Sequence, residues 1–402
     1  MIIPKYIERQ IYIDRVMPYV QKDIIKILVG QRRVGKSYLL FQLMDKIAKI
    51  DPECQQIYIN KELHEFSDIR NAEDLLAYIA AHRLSGRRLS LFIDEVQDID
   101  QFENALRSLQ AEGNVDIYGT GSNAKLLSGE LATYLSGRYI EIKVYGLTYS
   151  EFLTFHRLEK GQDSLQNYLK FGGLPYLKHL PLDDAVIFDY LKNVTDAILL
   201  KDIVSRYDIR NVSFLQRLVR FLADNVGSLV TARKISTYLK SQQIKISHNL
   251  VLDYLSYLSS ALLVLPAKRF DIKGKKIFEI GEKYYFEDLG IRHALVGFRA
   301  MDINKILENV IFTHLKTAGY KVTVGQIGKR EIDFLCEKRE ERLYIQAAYM
   351  IPDDKVRDRE FGNLLMIPDN FPKKVVSMDP VIGGSYKGIE HVHLEDFLLS
   401  LV

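Results

Sequence analysis

Strand-like and helix-like hydrophobic patterns alternate through the first third of the chain. The apolar run Ile24 to Val29 predicts a buried strand, and YLLFQLMDKIAKI, beginning at Tyr38, places apolar side chains at helical spacing without a proline. Between them lies a glycine-containing turn, Gly30 to Ser37, reading GQRRVGKS. A second apolar run, LSLFIDE from Leu89 to Glu95, ends in adjacent acids. A third, DIYGTGSN from Asp116 to Asn123, ends in glycines and small polar residues, and LSGRYIEIKV, Leu135 to Val144, predicts another strand. Strands alternating with helical patterns build a parallel sheet covered by helices, so this part of the chain is expected to be an α/β domain.

Farther along, the period changes. Leu191, Val194, Ile198 and Leu199 recur at helical spacing within 148–207, a stretch interrupted by the turn FGGLPYL. Thr231 to Lys240 predicts a short amphipathic helix, and Ser247 to Leu263 a longer one capped by Ser247. Two strand-like runs then flank Gly274. In the last hundred residues Glu308 opens a helix-like run, Asp333 sits in the strand-like EIDFLCE, and Gln346 in the strand-like LYIQAAY.

Composition narrows the class. With 402 residues and 47% hydrophobic content, the chain should form two to four packed domains. Cys54 and Cys336 have no partner spacing, so neither a disulfide framework nor a zinc site is expected, and a reducing compartment suits them. MIIPKYIERQ lacks the basic-then-apolar pattern of a signal peptide, and no apolar run reaches the length of a bilayer span. A soluble, cytoplasmic protein with no membrane partner is the expectation. A net charge of +3 does not by itself point to nucleic acid. His391 and His393 would share one face of a strand, which does not make a metal site.

The chemistry concentrates on the first turn. GQRRVGKS matches the phosphate-loop pattern, in the strand–loop–helix context that the pattern needs. Gly30 and Gly35 allow the tight path, and the backbone of Gln31, Arg32, Arg33 and Val34 surrounds the phosphates. Lys36 reaches the outer phosphates, and Ser37 would ligate Mg2+. ATP and Mg2+ are therefore the expected cofactors. Asp94 is expected at the metal, directly or through water, and Glu95 at the attacking water. Alone, this acid pair would read as ordinary solvated residues at a strand end. Ser122 or Asn123 would sense the terminal phosphate and orient the water. Arg138 is a candidate for stabilising transition-state charge, within the chain or across a contact between subunits, with a surface ion pair as the alternative.

The phosphate loop, the IDE strand, the TGSN strand and the SGR segment followed by GLTYSEF together resemble the prokaryotic AAA-type ATPases that carry a C-terminal region of unknown function. GGLPYL near Gly172 and YYFEDLGIRHAL around Asp288 extend the resemblance over nearly the whole chain. The expected fold class is α/β and multi-domain. It comprises an AAA-type P-loop core at 1–147, a helical lid or linker at 148–207, a winged-helix-like module at 208–298, and a restriction-endonuclease-like domain at 299–402.

Two of these regions bear on output. Helix, turn, helix and basic hairpin is the winged-helix plan, with Lys268, Arg269, Lys273, Lys275 and Lys276 as candidate DNA phosphate contacts. The second helix offers few cations and carries Asp253, and such modules also dock proteins, so DNA and protein partners both stand. In the last domain Glu308, Asp333 and Gln346 resemble a nuclease metal site. However, Gln346 replaces a carboxylate, and Ala348 stands where the lysine would be. An inactive nuclease core is expected; rescue by a lysine from elsewhere, such as Lys329 or Lys355, is the alternative. The functional expectation is a Mg-dependent ATPase coupling nucleotide state to C-terminal DNA- or protein-interaction modules, with oligomerisation open. Against it stand an ATP-regulated endonuclease and a slowly hydrolysing switch or scaffold.

Overall fold

The computed structural model of the protein describes residues 3–123, 135, 137–241, 246–380 and 384–400. It divides into two units, Met1–Tyr145 with Ser260–Leu262, and Gly146–Ser259 with Leu263–Val402.

The described elements of the first unit are α1 (Gln10–Val16), β1 (Ile25–Gly30), α2 (Lys36–Ile50), β2 (Gln55–Asn60), α3 (Ala72–His82), β3 (Leu89–Asp94), α4 (Phe102–Glu112), β4 (Val115–Gly121) and β5 (Tyr139–Val144). The strands form one sheet in the order β2-β3-β4-β1-β5, and every pairing is parallel. All strands therefore end at one edge, which collects Gly30, Asp94 and Gly121. Every residue of β1 and β3 is buried, as expected of central strands covered on both faces. That burial includes Lys26, whose ammonium pairs with Asp116 on β4. Asp116 also accepts the Tyr118 hydroxyl and the Gln21 backbone N–H. A charge removed so completely from water persists only when paired in this way. On α2 the helical spacing turns Leu39, Leu40, Leu43, Met44 and Ile47 to the core, and the Asn71 side chain caps α3 through the Asp74 N–H.

The second unit opens with helices α5 (Tyr149–His156), α6 (Gln162–Phe171), α7 (Asp184–Ala197, continued by a π-helical stretch Ile198–Val204) and α8 (Val212–Asp224). It continues with β6 (Leu229–Val230), α9 (Ala232–Ser241), α10 (His248–Ser260), β7 (Val264–Asp271), β8 (Lys276–Phe286), α11 (Leu289–Val296) and α12 (Ile303–Thr317). The last part holds β9 (Lys321–Ile327), β10 (Arg330–Lys338), β11 (Glu341–Ala348), α13 (Asp354–Leu365), β12 (Lys373–Ser377), β13 (Ser385–Tyr386), β14 (Ile389–His393) and α14 (Leu394–Ser400). Its strands form a single mixed sheet in the order β13-β14-β12-β11-β10-β9-β7-β8-β6. The boundary expected between 298 and 299 falls inside this sheet, because β7 pairs parallel to β9 from Arg269↔Val324 to Asp271↔Gln326. Ile332, Leu335 and Tyr344 of the sheet share one apolar cluster with Phe361 and Leu364 of α13.

Three glycine-containing motifs meet where the chain enters this unit. The Leu147 N–H donates to the Gly173 carbonyl at 2.6 Å, and the Gly146 N–H to Glu287 Oε1 at 2.6 Å. Asp288 accepts the Gly173 N–H at 2.7 Å and, as the cap of α11, the Ile291 N–H at 3.0 Å. Burial pushes the Asp288 carboxyl up to about 6, although backbone amides pull the other way. The approach is too close for side chains. A Cβ on Gly172 would lie 2.3 Å from Asp288 Oδ1, and one on Gly290 2.0 Å from the Phe171 carbonyl. GLTYSEF, FGGLPYL and YYFEDLGIRHAL are thus parts of one packed junction within the second unit.

Gly172 and Gly297 both hold a positive φ, +78° and +81°, but only Gly172 faces a neighbour that a methyl group would strike. Gly172→Ala should therefore destabilise the full chain by about 1–3 kcal/mol more than Gly297→Ala. Urea unfolding followed in the second unit checks this, and equal losses would show that the close packing on Asp288 contributes nothing.

Candidate functional site

At the end of β1 the backbone has room only for glycine. A Cβ on Gly30 would sit 2.4 Å from the Val144 carbonyl on the neighbouring strand. The loop then turns through positive φ at Arg33, 72°, and Gly35, 93°, before α2 begins at Lys36. This path puts the unpaired N–H groups of the first helical turn at the carboxyl edge of the sheet, an arrangement that attracts anions. Lys36 is buried, and its ammonium donates to the carbonyls of Gly30 at 3.0 Å and Gln31 at 3.2 Å. The Gln31 side chain is fully buried, and neither end of its carboxamide has a hydrogen-bond partner. Unsatisfied buried amides are costly, which makes this one a group prepared for a ligand.

The acid strand faces that loop. Asp94 ends β3 in a buried position where the hydroxyls of Thr120 of β4 and Tyr58 of β2 hydrogen-bond its carboxylate, and Ser37, in the first turn of α2, is near enough to favour its charged form. Burial raises its pKa, against the pull of the Ser37 and Thr120 hydroxyls. Glu95 takes a left-handed backbone, φ 57°, with its N–H on Thr120 Oγ1 at 2.9 Å. Its carboxylate lies 3.5 Å from the Lys36 ammonium and is hydrogen-bonded by Gln97 and Ser122. Burial pushes the Glu95 pKa up, but Lys36, Gln97, Arg32 and Ser122 outweigh it and hold the carboxyl below its ordinary value. The two adjacent acids therefore differ: Asp94 is short of positive charge, whereas Glu95 is held ionised.

Residues 22–153 match the family model described as an AAA domain, and residues 162–302 match a Domain of unknown function (DUF8612). An uncharacterized protein of Haemophilus influenzae is 36% identical over 400 residues, covering 98% of this chain and 99% of its own. Another uncharacterized protein, from Methanocaldococcus jannaschii, is 32% identical over 352 residues, 84% of this chain and 77% of that one. The chain belongs to the AAA-type P-loop ATPase family. Among solved structures, the Aeropyrum pernix ORC1 protein in complex with DNA aligns at a TM-score of 0.33 and 11% identity, covering 73% of this chain and 93% of that one. That likeness is too distant to bear on function. The AAA-type unit is a nucleotide-binding domain, and no described helix is long and apolar enough to cross a membrane.

Of the residues expected at the nucleotide, Gly30, Gln31, Gly35, Lys36, Ser37, Asp94, Glu95 and Ser122 converge on one edge of the AAA-type sheet. Asn123 is buried one residue beyond Ser122, Val34 is buried, Arg32 pairs with Glu62 at 3.1 Å, and Arg33 is exposed. Arg138 is not brought to its own chain's site. The register Ile25↔Tyr139 to Gly30↔Val144 puts it at the opposite end of the sheet, roughly 16 Å of strand from the loop, and its side chain is exposed.

Sequence reading missed Thr120, Gln97 and Arg9. Strand alternation was the available signal for Thr120, which shares a face of β4 with Ser122. Nothing local marks Arg9, which lies just before α1. It is buried, and Nη1 donates to the Val34 carbonyl at 2.9 Å and the Tyr145 carbonyl at 3.0 Å, while its guanidinium lies 4.6 Å from the Tyr12 ring centre. Tyr12 in turn accepts the Tyr145 N–H at 2.9 Å. One arginine thus ties the phosphate loop to the residue at which the chain leaves the AAA-type unit.

In the second unit, Glu308 of α12, Asp333 of β10 and Gln346 of β11 line one cavity of about 470 Å³. Asp333 accepts the Ala347 N–H at 2.8 Å. Lys283 of β8 is buried, with Nζ 3.2 Å from Glu308 and 2.8 Å from Glu331, which stands two residues before Asp333 on β10. Lys329 and Lys355, the alternative sources of a lysine, are both exposed, and it is Lys283 that stands beside Glu308. The physical reason is the shared sheet, which carries a strand from before residue 299 into the domain that follows. Lys268, Lys273, Lys275 and Lys276 are exposed on the β7–β8 hairpin, whereas Arg269 is half-buried and bonded to Gln326.

Arg9→Ala leaves two buried carbonyls without their donor. It should lower the stability of the AAA-type unit by about 2–4 kcal/mol and weaken ATP binding, with Arg9→Lys recovering only part of either. Titration with a fluorescent ATP analogue beside urea unfolding would reveal an unaltered affinity if the loop were independent of this tie.

Proposed function

We propose that the AAA-type unit hydrolyses ATP with Mg2+, and that the second unit carries the response to nucleotide state. The observation that carries this reading is the meeting of loop and acid strand, with the Lys36 ammonium 3.5 Å from Glu95 and the Gln31 carboxamide buried without a partner beside it. The donor set fits a hard cation. A hydroxyl and a buried carboxylate short of positive charge would supply the oxygen ligands that such an ion prefers. Ser37 and Asp94 would hold the ion, which when bound neutralises charge on the phosphates. Lys36, now turned onto backbone carbonyls, has a phosphate group as its natural replacement partner. Glu95, held ionised, accepts a hydrogen bond from the attacking water and aims it at the terminal phosphorus, while Gln97 and Ser122 fix its direction. Gln31 offers its unpartnered carboxamide to the nucleotide.

For Arg138, the reading that its place at the opposite sheet edge supports is action on the nucleotide of a neighbouring copy. For the second unit, the order α8, β6, α9, α10, β7, β8, with β6 pairing β8 antiparallel, supports a winged-helix reading. Four exposed lysines on its hairpin support contact with a nucleic-acid backbone. The exposed Asp253 on α10 disfavours base reading by that helix.

Phosphate release and nucleotide binding, measured on the same protein, test the first reading. Lys36→Ala should lose ATP affinity, and Glu95→Gln should keep bound ATP while turnover falls by about 100-fold or more. Turnover unchanged in both variants would end the hydrolysis assignment. For the hairpin, Lys275→Glu with Lys276→Glu should weaken duplex DNA binding across sequences and reduce the salt slope by about 2. DNA affinity equal to that of the parent protein would leave a protein partner as the occupant of this module.

A further inference from the structure

We propose that the Lys283 ammonium takes the place of a divalent cation in the acidic cluster of the second unit, so that its cavity holds no metal and performs no metal-assisted phosphodiester cleavage. The expectation of a metal comes from reading 299–402 as restriction-endonuclease-like; the displacement itself rests on distances.

Glu308 on α12 and Asp333 on β10 line one cavity, and Glu331 lies two residues before Asp333 on the same strand. As the chain stands, no group of three acids, histidines or cysteines among the described residues is placed to hold a metal ion. Here the positive charge is already supplied. Lys283 Nζ is 3.2 Å from Glu308 Oε2 and 2.8 Å from Glu331 Oε1, and its side chain is only 4% exposed. The Tyr285 hydroxyl, two residues along the same strand face, donates to Glu308 Oε2 at 3.1 Å. Glu308 is therefore satisfied twice from β8. Asp333 takes the Ala347 N–H, and across the cavity Arg359 pairs with Glu360 at 2.6 Å. Gln346 contributes no charge.

Lys283 cannot drift away as a solvent ion does. Its backbone is fixed between Ala267 of β7 and Leu229 of β6. The neighbouring acids keep it protonated despite its burial. A divalent ion approaching Glu308 would meet that fixed charge at contact distance, in a setting with little water to screen it. The donor set also lacks the carboxylate that Gln346 replaces, so less attraction is available to offset the repulsion. Residues 208–298 thus supply the cation that the following domain would otherwise take from solution.

Mn2+ binding to the full, nucleotide-free chain tests this by electron paramagnetic resonance, with Asp94→Asn in every sample to silence the AAA-type unit. The parent is expected to bind no Mn2+ in the second unit up to millimolar concentration. Lys283→Met, which keeps the length of the side chain and removes its charge, should gain a site at least about tenfold tighter than any parent binding. Adding Asp333→Asn should abolish that site. Lys283→Arg should remain metal-free and serves as the folded comparison. Binding by the parent that is lost on Asp333→Asn alone would overturn the proposal, whether or not Lys283→Met folds. A folded Lys283→Met without Mn2+ would overturn it as well. Magnesium-dependent nicking of DNA by the parent, lost on Asp333→Asn, would overturn it while upholding the endonuclease-like reading of the domain.

Discussion

Burial of charge at the carboxyl edge of the five-stranded sheet is the constraint on which the first unit depends. Parallel pairing brings the ends of β1, β3 and β4 together, and the sequence puts Lys36, Asp94 and Glu95 there, largely out of water. Each of these charges would be costly alone. Lys36 is tolerable because it faces Glu95 and two carbonyls, and Asp94 because two hydroxyls donate to it. A site built this way is preorganised, since the cost of removing charges from water has been met during folding, before any nucleotide arrives.

The same logic at other places gives a structural result. Lys26 and Asp116 form a closed pair at the amino end of the sheet, with Tyr118 and Gln21 completing the hydrogen bonds. Arg292 of α11 is wholly buried, with Asp302 at 2.5 Å and the Ala223 carbonyl at 3.0 Å as its partners. These clusters differ from the phosphate-loop edge in one respect: none has an unpartnered carboxamide like that of Gln31 beside it. Where charges and donors are balanced the arrangement is a fastening, and where polar capacity is left over it is a place for a ligand. Lys283 belongs with the fastenings by its partners, although one of them, Glu308, lines a cavity.

Several motifs were legible without coordinates because their meaning is local. GQRRVGKS is such a case: strand, glycine turn and helix start are consecutive, and the anion-binding character follows from backbone geometry over eight adjacent residues. The acid pair at the end of LSLFIDE was legible for a similar reason, as was the parallel α/β character of the first unit. GGLPYL and YYFEDLGIRHAL were visible as motifs but not as structure. Gly172 makes way for Asp288, more than a hundred residues away, and Gly290 for the carbonyl of Phe171, and no period in the sequence announces either approach.

What the chain alone determined was therefore the class of the first unit, its nucleotide-binding character and the course of its glycine loop, all set by short-range pattern. Tertiary structure decided which distant groups share a low-dielectric space. It put Arg9 on the phosphate loop, sent Arg138 to the far edge, and set Lys283 beside Glu308. The physical reason is common to all three. A lone arginine or lysine carries the same local signature whether it ends in solvent or against a buried acceptor, and only the packing of strands and helices determines which partner it meets.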